Sequence, residues 1–436
     1  MRTILSIIAL FSLVQIHAQH IEPAIGREKA GGELYIYPTE ELAAQRNGAE
    51  NNTYTTHIEK WEQQQNKFMA HFTMPFAWLN RRVLLHMDSG SAPYTLRVNG
   101  REIYRSTDAS NAACYNITKV AKEGRNTVEV ELEESSSVAQ LEDWRKDNKP
   151  YPGNVRIVCP PMIHIRDVLV ATHQNEGNEA LGIAQIGIVV KTGALNPRSS
   201  KIHYSLLDPQ GEEVVHGAQN IQLELRGEDT LYFVGHIPYE QLWTPQRPTQ
   251  YTLRLKTEYN GRVLEHLDLP LGFRTLSLDA KGNMLLNNQP VELRLKEVQP
   301  SMSDAEIDAV RQEGFTIVRL LPGDVRRGLL DYCDKTGLLV IAQAPIDTHK
   351  SGLSRKKGGN PSNDPQWKDE FIARAENSFH VTKRHPSVVA FSMAYRSANG
   401  INLYETYLNM KQLGDERPVV YFEAEGEWNH DRLLVK

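Results

Sequence analysis

The stretch "HPSVVAFSMAYRSANG" (385–400) decides how the chain is read. A His-Pro turn leads into the apolar run Val388 to Ala394, broken only by Ser392, and a polar tip ends at Gly400. Such a run marks a strand buried on both faces, the kind that helices cover in a parallel sheet. A helix-like segment at about 365–384 precedes it, and helix-like "LYETYLNMKQLG" (403–414) and strand-like "PVVYFEA" (418–424) follow. Upstream the same grammar repeats. Strand-like "VELRLKEV" (291–298), "TIVRLLP" (316–322) and "LLVIAQAP" (338–345) alternate with helix-like "SDAEIDAVRQEG" (303–314) and "DVRRGLLDYCDKTG" (324–337). Ser303 suits an N-cap and Gly314 a helix stop.

Alternating β and α at this spacing predicts a (β/α) barrel-like unit over residues 275–436. Five strands and four helices fit before Lys436, too few to close an eight-stranded barrel. The fifth strand is then expected to expose an unpaired edge and one side of the interior, which favours an open sheet, a homo-oligomer or another covering partner. The basic loop "SGLSRKKGGNPSND" (351–364) reads as a mobile, solvated tip, with glycan or partner contact as the other reading.

The first two thirds read differently. "KFMAHFTMP" (67–75), "RVLLHMD" (82–88), "YTLRVNG" (94–100) and "NTVEVEL" (126–132) alternate apolar with polar residues. So do "IAQIGIVVKT" (183–192), "KIHYSLLDPQG" (201–211), "TLYFVGHIP" (230–238) and "QYTLRLKTEYNG" (250–261), separated by Asp-Pro and Asn-Gly turn signals. A period of two predicts half-buried antiparallel strands, hence two β-sandwiches in series, over 19–160 and 161–274.

At the N-terminus, Met1-Arg2, the apolar run Ile4 to Val14 and Ile16-His17-Ala18 form a signal-peptide pattern over 1–18. The mature chain is expected to start near Gln19 and to be exported, to the periplasm, the outer membrane surface or the medium. No later segment reaches the ~18 apolar residues of a membrane span. A net charge of −5 argues against a nucleic-acid footprint. Cys114, Cys159 and Cys333 are an odd set for an exported protein and lack metal-ligand spacing, so at least one is free or paired outside the chain.

The order of these parts and their motifs resembles glycoside hydrolase family 2, most closely its long β-galactosidases. In the first part "YTLRVNGREI", "CYNITKVAKEGRNTVEVEL" and "LEDWRKDNKPYPGNVRIV" follow the family's sugar-binding jelly roll. In the second, "LWTPQRPTQYTLRL" and "LGFRTLSL" match its immunoglobulin-like sandwich. In the third, "LLNNQPVELRLKEV", "LLDYCDKTGLLVIAQAPIDTH" and "DPQWKDEFIARAENSFHVTKRHPSVVAFSM" track the front half of its catalytic TIM barrel.

The departures from the family fall on its chemistry. Retaining glycosidases need two carboxyl groups about 5 Å apart. By resemblance, the acid/base glutamate belongs at Arg396 and the sugar-contacting asparagine at Tyr395. A guanidinium stays protonated and cannot shuttle protons. The nucleophile's strand, the seventh, lies beyond the five present. "LKEVQPSM", "VRLLP" and "AQAP" lack the histidines and acids that the family carries there, and "LEDWR" lacks a short stretch with a second sugar-contacting acid. The resemblance implies magnesium ligands at Asp347 and His349, but Arg396 would put a cation in place of the third. No cofactor is therefore expected, magnesium being disfavoured, and Arg396 is expected to pair with Asp347 instead. Replacement carboxylates are sought in Glu423, Glu425 and Glu427, and sugar-stacking rings in Trp144, Tyr151 and Trp428.

Taken together, these readings predict an exported, catalytically silent relative of the family that binds a glycan or joins an envelope assembly. An active β-glycosidase with a non-standard carboxylate pair is the second reading, and a truncated remnant without function the third.

Overall fold

The computed structural model describes residues 25–436 except 47, 49, 89, 109, 134–140, 145–151, 176, 179, 324 and 425. The signal-peptide pattern, Tyr151 and Glu425 lie outside the described residues.

The first unit is a jelly-roll sandwich of two five-stranded sheets. One runs Gly26–Arg27, Ala113–Asn116, Leu84–Met87, Val155–Val158, Thr55–Ile58, and the other Glu62–Gln64, Lys67–Met74, Gly124–Leu132, Tyr94–Val98, Arg101–Ser106. Lys67–Met74 alternates strictly between exposed and buried, so Phe68, Ala70, Phe72 and Met74 all enter the sandwich core with Leu85, Leu96, Val128 and Ile157. The second unit packs a three-stranded sheet (Ile163–Gln174, Leu181–Thr192, Glu228–Pro238) on a four-stranded one (Glu213–Leu223, Arg198–Leu207, Tyr251–Tyr259, Arg262–Leu271). Its core is aliphatic, with Ile186, Ile188, Ile202, Leu253 and Leu267 fully buried.

The third unit holds five parallel strands in sequence order, Leu295–Val298, Ile317–Leu320, Leu339–Gln343, Val388–Ser392 and Val419–Val420. Helices Asp304–Gln312, Leu329–Thr336, Lys368–Thr382 and Ile401–Gln412 connect them. The central strands Ile317–Leu320, Leu339–Gln343 and Val388–Ser392 are buried at every position, as continuous apolar runs require. Ser303 caps the first helix in a capping box with Glu306.

The expected exposed edge is not there. Asp431 caps the fifth strand, its N–H donating to the Val419 carbonyl at 2.7 Å and its Oδ2 accepting from the Val419 N–H at 2.8 Å. The chain then crosses the mouth of the half barrel to the first strand. There Leu295 N–H donates to the Lys436 carbonyl (2.9 Å) and Lys436 N–H to the Leu293 carbonyl (2.8 Å). On the way Leu434 N–H bonds the Gly282 carbonyl, and Leu433 enters a core with Ile317, Ile341, Ala390 and Val420. Leu276, Met284 and Leu286 from the hairpin before the first strand complete that cover. The expectation of an uncovered interior is thus corrected: the last six residues, Asp431 to Lys436, strap the two edge strands together and help bury the apolar face that a full barrel would enclose.

Loop 351–364 also departs from its reading in part. Arg355, Lys356 and Lys357 are exposed, but Asn360 and Ser362 are fully buried. The Asn360 amide donates to the Thr348 carbonyl (2.9 Å) and the Gly352 carbonyl (2.7 Å), which pins the loop back on the strand ends.

Candidate functional site at the carboxyl ends of the parallel strands

Arg319, fourth letter of "TIVRLLP", points from the second strand into the half barrel, with its side chain 2% exposed. A buried guanidinium must spend its N–H donors on acceptors. Nε donates to Gln343 Oε1 (3.1 Å), and Nη2 to the Ala394 carbonyl (2.9 Å) and Ser392 Oγ (3.2 Å). Nη1 donates to Glu297 Oε1 (3.2 Å) and Glu423 Oε1 (3.1 Å), while Nη2 also reaches Glu423 Oε2 (3.3 Å). The Tyr395 and Phe422 rings lie 5.0 Å from the guanidinium carbon, a cation–π arrangement. One arginine thus ties the ends of all five strands together.

The second cluster forms around Asp347, which is fully buried. Arg396 Nη2 lies 2.5 Å from Asp347 Oδ2, the pairing anticipated from the sequence. Asp347 Oδ1 meets His349 Nδ1 at 2.8 Å and accepts from the His349 N–H at 3.2 Å. Burial, the largest single influence, works against the charged Arg396, but the hydrogen bond to Asp347 together with the charges of Asp347, Tyr395 and Asp143 outweighs it and raises its pKa. Arg396 also has φ 42°, in the left-handed region that a non-glycine residue adopts at a cost.

A loop of the jelly roll completes the site. Asp347 N–H donates to the Leu141 carbonyl (2.8 Å), Asp143 N–H to the Asp347 carbonyl (3.0 Å), and Lys350 N–H to Asp143 Oδ2 (2.6 Å). Burial raises the Asp143 carboxyl, opposed by the Lys350 N–H. Beside it, Glu142 Oε1 and Arg374 Nη1 form a fully buried pair at 2.8 Å.

These contacts decide what the groups can do. Glu423 and Glu297 converge on one nitrogen, and both have their oxygens engaged as acceptors. Neither is presented as a proton donor to a glycosidic oxygen. Asp143, Asp347 and His349 bring their ligand atoms within 4.8 Å of one another. They do not fit magnesium, because Asp347 Oδ2 is taken by a guanidinium where a hard cation needs another oxygen ligand.

The other predicted residues are scattered. Glu427 is half-exposed and paired with Arg355 at 3.0 Å. Trp428 is 70% exposed, its ring against Tyr404 with centroids 4.8 Å apart. Trp144 is half-buried in the wall beside Gly323. Sequence reasoning missed Arg319 and Glu297. Arg319 had one signal, a charged residue inside a run that otherwise reads as a buried strand, whereas Glu297 is one of four charges in "VELRLKEV" and had none.

The chain matches the model of the glycosyl hydrolases family 2 TIM barrel domain over residues 304–435 and that of glycosyl hydrolases family 2 over 163–274, together more than half of its length. It is 23% identical over 389 residues to a β-galactosidase of Priestia megaterium (strain DSM 319 / IMG 1521), covering 84% of this chain and 36% of that protein. A β-galactosidase of Streptococcus thermophilus is 24% identical over 379 residues, covering 81% and 35%. The chain thus spans about a third of the length of these curated relatives. Among solved structures, the Bacteroides uniformis β-glucuronidase 2, covalently bound to cyclophellitol-6-carboxylate aziridine, superposes with a TM-score of 0.69 at 17% identity. That match covers 81% of this chain and 46% of that one. The chain, two β-sandwiches and a partial barrel, belongs to glycoside hydrolase family 2.

Proposed function

We propose that this chain is an exported, catalytically silent member of its family that serves by binding, to a glycan or within an envelope assembly. The observation that carries the reading is the Arg396–Asp347 pair at the end of the fourth strand, where the family's proton donor would stand. The carboxylates nearest to it support the same reading, since Glu297 and Glu423 both hold the buried Arg319. A double displacement needs one carboxyl that attacks and another that gives up a proton. A carboxylate that accepts from a fixed guanidinium is a poor proton donor, because the neighbouring positive charge favours its ionised form. Export rests on the apolar N-terminal run, and an envelope partner on the exposed Trp428 and the basic tip 355–357.

Purified protein and a chromogenic β-galactoside test the reading. No turnover above buffer is expected at millimolar substrate. Turnover that Glu423→Gln or Glu297→Gln abolishes would establish an active glycosidase with an unusual carboxylate pair and overturn silence. Cell fractionation tests export, with the protein expected outside the cytoplasm.

A further inference from the structure

A bare sheet edge is a template for another strand, so folds shorten, bulge, charge or cover their edges. In the jelly roll the edge strands Gly26–Arg27, Thr55–Ile58, Glu62–Gln64 and Arg101–Ser106 are two to six residues long. In the half barrel the strap Asp431 to Lys436 covers both edges. In the second sandwich Tyr37 covers the edge of Arg262–Leu271, exchanging backbone bonds with His266 at 3.1 and 2.9 Å. Ile163–Gln174 bulges between Ile165 and Asp167, and Glu265 Oε1 takes the Ile165 N–H (2.7 Å). Glu228–Pro238 opens with two acids and closes with proline, and its Tyr232 carbonyl accepts from the Gln219 amide (3.3 Å).

Glu213–Leu223 lacks such protection. It is 11 residues long, lies at the end of its four-stranded sheet, and pairs with Arg198–Leu207 in unbroken register from Val215 to Leu223. Among the described residues its backbone bonds no other backbone. It holds no lysine, arginine or proline, and Glu213, at its start, is its one acid. Ile221 and Leu223 enter the sandwich core, so His216, Ala218, Asn220 and Gln222 line the opposite face, and all four are exposed. At ~3.3 Å per residue this strand presents an edge ~36 Å long, along which alternate residues aim N–H and C=O outward.

A second copy of the same strand fits that edge. Because only alternate residues offer their backbone groups, an antiparallel partner must set opposite each other residues whose numbers differ by an even amount. A two-fold axis at Ala218, the middle of the strand, meets this condition. Ala218 then faces its own copy, His216 faces Asn220, Val215 faces Ile221 and Glu213 faces Leu223. No charge meets its like, and the smallest of the exposed side chains sits where the two copies come closest. About ten backbone hydrogen bonds would join two four-stranded sheets into one of eight.

We propose that the chain forms a two-fold homodimer by antiparallel pairing of Glu213–Leu223 with its copy, centred at Ala218. The pairing is independent of whether the half barrel binds or turns over any glycoside.

Sedimentation velocity of the purified chain across the micromolar range tests it, with a reversible monomer–dimer equilibrium expected. Ala218→Lys sets two ammonium groups opposite each other at the axis and should weaken dimerisation at least about fivefold. Ala218→Glu should do the same, whereas an equimolar mixture of the two variants should recover the dimer, because opposite charges then face each other. Leu195→Lys, at an exposed position on another loop of the same sandwich, should leave the equilibrium unchanged. On the unmodified chain, hydrogen exchange should show protection of 213–223 that rises with protein concentration. Should a variant not fold, that protection decides. A monomer at every concentration, a dimer that Ala218→Lys leaves intact, failure of the two folded variants to pair with each other, or exchange in 213–223 that ignores concentration would each overturn the proposal.

Discussion

Replacing Arg374 by Met removes one half of a fully buried ion pair. Arg374 and Glu142 are both 0% exposed, and Nη1 lies 2.8 Å from Glu142 Oε1. The same guanidinium donates to the Pro345 carbonyl (2.8 Å) and to the Thr107 carbonyl, so one side chain links helix Lys368–Thr382 to two segments of the jelly roll. Methionine fills much of the volume but leaves Glu142 charged and two carbonyls without this donor. Breaking a buried pair from one side costs about 3–5 kcal/mol, and the orphaned carbonyls push the loss towards the upper end. That is a large part of the ~5–15 kcal/mol that typically holds a domain. Urea unfolding, followed by tryptophan fluorescence and far-UV circular dichroism, measures it. The midpoint should fall and the two probes should separate, because the contact joins two units of the fold. Adding Glu142→Gln should recover part of the loss, since the buried carboxylate would no longer lack its guanidinium. A single variant within ~1 kcal/mol of the parent, or a double variant less stable than the single, would refute the argument.

Three further outcomes are expected. Glu265 is fully buried, its Oε1 accepting from the Ile165 N–H (2.7 Å) and the Thr257 hydroxyl (2.8 Å), and burial raises its carboxyl from 4.5 to about 8. The fold then holds a proton that the unfolded chain releases above its ordinary value. This stabilisation is full below 4.5 and is lost as pH rises towards about 8, with a limiting slope of about 1.4 kcal/mol per pH unit. Melting temperature should fall from pH 5 to pH 8, and Glu265→Gln should flatten that slope; an unchanged slope would contradict it. Leu433→Asp puts a charge into the core under the strap and should cost at least ~3 kcal/mol while raising the binding of a hydrophobic dye; a parent-like melt would show that the strap is dispensable. Gly337 has φ +79°, and a Cβ there would lie 2.1 Å from the Pro245 carbonyl oxygen. Gly337→Ala should therefore lower the melting temperature clearly, and a neutral effect would contradict the close packing of these two segments.

Much of the architecture is legible in the chain. Period-two runs such as Lys67–Met74 specify half-buried strands because alternate side chains face opposite sides of a sheet. Unbroken apolar runs such as Val388–Ser392 specify parallel strands under helices, and Ser303 with Glu306 marks a helix start through backbone groups only a few residues apart. All of these are local. The Arg396–Asp347 pair, 49 residues apart in sequence, was legible only because position 396 and its strand resembled a known pattern.

What escaped the sequence reading depends on contacts between distant segments. Arg319 looked like a charge in a strand; only the half barrel brings Glu297, Gln343, Ser392 and Glu423 onto its donors. Glu28 and Lys191 lie in different sandwiches, and nothing local announces that they meet at 3.7 Å. The final residues carry no strand or helix pattern of their own, yet they strap the first strand to the fifth. Amino-acid order determined which segments are strands and helices, because pleat, helix period and capping act over neighbouring residues. The tertiary structure decided which charges meet and how the open barrel is covered, because burial forces each polar group to find a partner wherever the fold brings one within reach.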